Sequence, residues 1–189
     1  MRWDIDIYFW INCFFIFSLM GYILECIVLT LENRKLVYNR GFGHGPFCII
    51  YGFGAVGAAL FLGPVADNMV KLYFASMLMA TTMELVTARI MIWLFGAFWW
   101  DYSKKRYNYK GIICLESSLG WGLLGILLFR ILNEQVQHAV ERIPSHAGKY
   151  VALSLILFYA ADFLYSFRVE RRERELDDRP EILGRMKAD

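Results

Sequence analysis

Five uninterrupted apolar runs, at residues 5–31, 47–65, 72–99, 112–132 and 150–167, leave this chain few folds to choose from. A helix needs about 20 residues to cross the roughly 30 Å hydrocarbon core of a bilayer, and these runs bracket that length. Transmembrane β-strands would appear as short alternating segments, whereas these runs are continuous and much longer. Composition agrees. Of the 189 residues 58% are hydrophobic and only 20% charged, too apolar for an ordinary soluble domain. The sequence therefore predicts an all-α membrane protein with five transmembrane helices. They form a single domain over residues 1–167, and a charged tail follows over residues 168–189. Asp4 and Asp6 spoil a basic leader, so the first apolar run is expected to stay in the mature protein rather than act as a cleaved signal.

The charges sit between the runs and set an orientation. The first connection carries Arg34, Lys35 and Arg40, the third carries Lys104, Lys105, Arg106 and Lys110, and the tail adds seven more basic residues. Together these place fourteen Lys and Arg on one side against five on the other. By the positive-inside rule the protein is a multi-pass cell-membrane protein with its N-terminus outside and its C-terminus in the cytoplasm. The basic tail should favour anionic headgroups of the surrounding bilayer, and its i,i+4 charge pairs predict a solvated helix that ends before Pro180.

A cassette is written twice. Tyr38-Asn39-Arg40-Gly41 leads to Cys48 and Gly52-Phe53-Gly54-Ala55-Val56-Gly57; Tyr107-Asn108-Tyr109-Lys110-Gly111 leads to Cys114 and Gly120-Trp121-Gly122-Leu123-Leu124-Gly125. Both copies run helix, inner loop, helix in the same direction, so they read as two parallel helix-loop-helix repeats about an axis along the membrane normal, plus a fifth helix. Each GxGxxG string matches a dinucleotide fingerprint by letter only. That fingerprint works between a strand and a helix, and here it opens a membrane helix. Gly54/Ala58 and Ser118/Gly122 are instead expected as small-xxx-small packing pairs. Between the fourth and fifth runs, Val136, Ala139, Val140 and Ile143 recur at helical spacing and predict an interfacial amphipathic helix stopped by Pro144.

Candidate functional residues fall into two groups. Glu25, Glu84, Arg89 and Glu116 lie in or beside apolar runs, where a charge costs about 2.5–3.5 kcal/mol and normally faces the bundle interior with a partner. They predict a polar intramembrane pocket, with Arg89 pairing Glu25 or Glu116. Asn39, Arg40, His44, Tyr51, Asp101 and Asn108 are inner-loop binding candidates. The Arg40–Pro46 loop has glycines and successive N–H groups able to form an anion nest, or to turn the chain back into the second run, and His44 could carry a proton. Asp162 reads as a snorkelling or capping group. Cys13, Cys26, Cys48 and Cys114 have no metal-ligand spacing and read as free thiols. No hydrolase triad, HExxH or P-loop pattern occurs, so neither a catalytic residue nor a metal or cofactor is expected.

The strings Asn39-Arg40-Gly41-Phe42, Gly45-Pro46, Cys48 and Tyr51-Gly52-x-Gly54 carry a family resemblance. So do Trp100-Asp101-Tyr102-Ser103, Asn108, Gly111, Ile113-Cys114-Leu115, Ser118 and Trp121-Gly122. Over residues 18–130 the chain resembles the small membrane proteins catalogued as putative type IV ABC-transporter permeases. That resemblance implies a transport role, and with no ATPase in the chain it implies a separate ATPase or another membrane subunit, in a possible homo-oligomer. The residues alone also admit a non-transport scaffold that binds lipid or a protein partner. An intramembrane enzyme using Glu25 and His44 as acid and base is the weakest reading, and nothing points to nucleic acid.

Overall fold

The structure, a computed structural model, describes residues 6–38 and 42–186, with side chains as far as Arg172. Its order is α1 (Ile7–Asn33), α2 (Ile49–Phe61), α3 (Met69–Phe95), a short antiparallel pair β1 (Asn108–Tyr109) and β2 (Ile113–Cys114), α4 (Leu115–Leu127), α5 (Asn133–Glu141) and α6 (Ser145–Met186). A 3-10 turn at Gly63–Val65 follows α2, and one π-helical turn, Leu128–Leu132, joins α4 to α5 without a break. Local chemistry sets the ends. Asp6 accepts from the Tyr8 N–H at the start of α1 and Asn68 from the Lys71 N–H at the start of α3, satisfying donors that a helix start leaves open. Gly96 takes the left-handed cap that ends α3.

Four helices, Ile7–Asn33, Met69–Phe95, Leu115–Glu141 and Ser145–Arg172, are long and apolar enough to cross a membrane. The second apolar run gives something shorter. Its helix has 13 residues, about 20 Å at the α-helical rise. The reason lies in how the connection returns. The Cys48 N–H donates to the Ser18 carbonyl at 3.0 Å, so α2 begins level with the middle of α1. Ser18 stands about 22 Å from the C-terminal end of α1 by the same rise. The second hairpin repeats the arrangement: Thr81 Oγ1 meets Ser118 Oγ at 2.9 Å, about 21 Å from the end of α3. In both hairpins a 27-residue helix is therefore followed by a non-helical connection and then by a helix whose start sits beside the middle of the first.

The glycines that permit this contact are not all those that the motif suggests. A Cβ on Gly52 would collide with Ser18 and Phe14, and one on Gly125 with Ser76. A Cβ on Gly54 would meet nothing within 4 Å. Gly54 is thus no packing residue, because the α1 contact falls on the Gly52-Ala55-Ala59 edge, whose members are all buried. Two clusters bury most of the core. One joins Cys13 and Phe17 of α1 to Ala55, Val136 and Val140; the other joins Ala58, Leu62 and Leu72, with Leu128 against both.

At the C-terminal end, residues 133–141 form the expected amphipathic helix, which ends before Pro144 and continues the membrane-length helix that begins with α4. Val136 and Val140 are buried in the α1 cluster while Ala139 is exposed. The last helix does not end before Pro180 but runs through it to Met186; a helix of 42 residues absorbs the one backbone hydrogen bond a proline removes.

Candidate functional site

Three sets of contacts fix the described parts of the two connections. Asp162 of α6 reaches the first, where its carboxylate accepts from the His44 and Gly45 N–H groups, both at 3.1 Å. The expected anion nest is therefore real in geometry and filled by the protein's own carboxylate. His44 Nδ1 also meets Ser166 Oγ at 2.8 Å, and Phe42 sits among Phe95, Trp99 and Phe163. Asn39 and Arg40 lie outside the described residues.

Asn108 braces the second connection. Its amide nitrogen donates to the Ser103 and Lys105 carbonyls, and its oxygen accepts from the Gly111 N–H. Asp101 caps the same turn, accepting from the Ser103 N–H at 2.8 Å and the Ser103 hydroxyl at 2.9 Å. Those two bonds, the backbone one foremost, hold the exposed Asp101 carboxyl below its ordinary range. Gly111 has φ +70, and a Cβ there would press on Asp101, so only glycine fits without strain.

A third tie lies at the inner rim. Lys105 Nζ bridges Glu116 at 2.9 Å and Glu32 at 3.1 Å, joining the end of α1, the second connection and the start of α4. Hydrogen bonds to Glu116 and then Glu32 hold the lysine above its usual value.

With the connections in place, two carboxylates face inward, each on a tyrosine. Tyr51 donates to Glu25 at 2.6 Å and Tyr102 donates to Glu84 at 3.0 Å. Glu25 is half-buried, whereas Glu84 is only 3% exposed. Tyr51 and Trp121 are in ring contact, 5.4 Å between centroids, and bridge the starts of α2 and α4. Between α2, α3 and α4 lies a cavity of about 70 Å³ lined by Tyr51, Gly54, Ser76, Met83, Glu84 and Trp121, among others. Three buried polar atoms on its wall, Ser76 Oγ, Glu84 Oε2 and Trp121 Nε1, make no direct hydrogen bond of good geometry, although the Trp121 N–H faces the Glu84 carboxyl. Such orphans are rare in a folded protein and call for an explanation.

Of the four residues expected in one pocket, only Glu84 lines the cavity. Glu25 is held nearby by the hydroxyl of Tyr51, which does line it. Glu116 is exposed and tied to Lys105 instead. Arg89 is exposed and has no ion-pair partner among the described residues. Five residues on a helix is a turn of about 140° from Glu84, which points Arg89 away from the bundle.

This fold and site can be compared with known proteins. A family model matches residues 12–167, which include every element that walls the cavity. The chain belongs to the family described as putative ABC-transporter type IV. No curated protein and no solved structure matches it.

In this family member, three residues of the site escape a reading by charge: Tyr102, Trp121 and Ser76. Tyr102 and Trp121 sit inside the two motifs, where they pass as loop and interface aromatics. Ser76, Ala80, Met83 and Glu84 recur at four, seven and eight residues, the spacing of one helix face, and that periodicity was the available signal. Among the described residues no group of three or more His, Cys, Asp or Glu could hold a metal ion.

Proposed function

We propose that this chain is the permease-like membrane component of an ABC-type transport system, without enzymatic activity of its own and driven by a separate ATPase. The single observation that carries the reading is that α2 and the membrane-length helix beginning with α4 are both entered from non-helical chain beside the middle of a neighbouring helix. Non-helical backbone at membrane depth is tolerated only where protein buries it or where it lines a cavity. Transporters place their sites at such discontinuous helices, near the interface of two repeats. Here α2 and α4 both start beside the midpoint of a partner helix, and the cavity lies where they approach. Membership in an ABC-transporter family supports the same reading.

On this reading the chain crosses the bilayer five times with its N-terminus outside. The second crossing combines the irregular inner connection with α2, and α1–α2 and α3–α4 are the two parallel repeats. The two connections, the second tied by Lys105 to Glu32 at the end of α1 and Glu116 at the start of α4, form the cytoplasmic face on which an ATPase docks. Affinity purification of the tagged chain from native membranes tests this. Transport predicts an ATP-hydrolysing subunit retained in fixed ratio, lost on charge reversal at Lys104, Lys105 and Arg106. Recovery of the chain with lipid or scaffold proteins alone would overturn it.

A further inference from the structure

We infer that the cavity between α2, α3 and α4 is a proton-binding site, in which the Glu84 carboxyl exchanges a proton with water. The inference deepens the transport reading by naming the ligand of its polar site, and it rests on that reading only for the use made of the proton.

The wall chemistry selects the ligand. An anion is opposed by Glu84 and finds one N–H donor, that of Trp121. Calcium or magnesium would find the protein oxygens Glu84 Oε2 and Ser76 Oγ free on the wall, too few for either ion. The volume of about 70 Å³ holds roughly two waters at ~30 Å³ each. Two waters suffice to join Ser76 Oγ, Glu84 Oε2 and Trp121 Nε1, the three atoms that make no direct hydrogen bond of good geometry.

The surroundings offer each protonation state a partner. Facing Glu84 are Glu25 on α1, Tyr51 on α2, Tyr102 on the second connection, and Ser117 and Trp121 on α4. None of these is cationic, Lys105 is engaged with Glu32 and Glu116, and Arg89 on the same helix is exposed. A buried carboxyl with no cation beside it takes up a proton rather than stay charged in an apolar setting. As the neutral acid, Glu84 donates its Oε2–H to cavity water while Oε1 keeps the Tyr102 bond. When the proton leaves to that water, the carboxylate keeps the Tyr102 O–H and gains the Trp121 N–H. Tyr102, half-buried in the connection, lies on the cytoplasmic path by which the proton exchanges.

Infrared difference spectroscopy of the full chain in lipid nanodiscs, titrated from about pH 5 to about pH 10, tests the assignment. A protonated-carboxyl stretch should be present at neutral pH, disappear as pH rises, be absent in Glu84→Gln and persist in Glu25→Gln. Trp121→Phe, which keeps an aromatic ring on the cavity wall but removes the N–H that favours the ionised form, should raise the midpoint by about one to two pH units, a ten- to hundred-fold gain in proton affinity. A band unaffected by Glu84→Gln, constant across the titration, or indifferent to Trp121→Phe overturns the inference. The readout needs no ATPase, so a titrating Glu84 in a chain without an ATPase partner would sink the transport reading and leave this one standing.

Discussion

Replacing Gly52 and Gly54 by alanine, one at a time, separates what the Gly-x-Gly string does in this fold from what it resembles. An alanine methyl at Gly52 meets Ser18 Oγ and the edge of the Phe14 ring at 2.8 Å. Both belong to α1, and Ser18 lies beside the point where the Cys48 N–H is bound, so neither yields without moving the helix pair. Overpacking of this kind costs about 1–3 kcal/mol. At Gly54 the methyl finds open space, and alanine's better helix propensity contributes up to about 1 kcal/mol in its favour. At about 2–4 °C per kcal/mol for a chain of this size, Gly52→Ala should lower the unfolding midpoint in detergent by about 2–12 °C. Gly54→Ala should leave it unchanged or raise it slightly. Scanning fluorimetry with size-exclusion controls reads both. Equal losses from the two substitutions would refute the assigned register of α2 on α1.

Asp162→Ala removes the acceptor shared by two backbone N–H groups; hydrogen exchange at the His44 and Gly45 amides should accelerate at least about tenfold, and unchanged exchange would place the first connection's anchor elsewhere. Asp101 gives a pH dependence of definite sign. Its folded value is depressed by the Ser103 bonds, so the stabilisation is complete above the ordinary aspartate range and lost as pH falls through the lowered value. The protection factor of the Ser103 amide should follow that course and be abolished in Asp101→Ala; protection that rises on acidification would contradict it.

Much of the helical layout was legible in the apolar runs because membrane-length hydrophobicity is a strong one-dimensional signal. The second run shows where that signal stops. Residues 47–65 are apolar enough for a span, yet only Ile49–Phe61 is an α-helix, because tertiary hydrogen bonding to Ser18, not hydropathy, decides where that helix begins. The twice-written cassette pointed to the region of the site but not to its members. Charge alone grouped Arg89 and Glu116 with Glu84; the helix phase turns Arg89 outward, and Lys105, eleven residues before Glu116 in the chain, captures that carboxylate. Trp121 and Ser76 were invisible to a search for charges, because their part in the site comes from an unpaired N–H and O–H that only packing reveals.

The central claim is that α2 and α4 both begin inside the membrane, beside a largely apolar cavity that holds Glu84. A map of the chain in a lipid nanodisc, with the lipid belt resolved, measures it directly. The account predicts that Cys48 and Leu115 lie at least about 10 Å inside the cytoplasmic edge of a hydrocarbon core about 30 Å thick, with Glu84 nearby. Finding both helix starts at or outside that edge would contradict it.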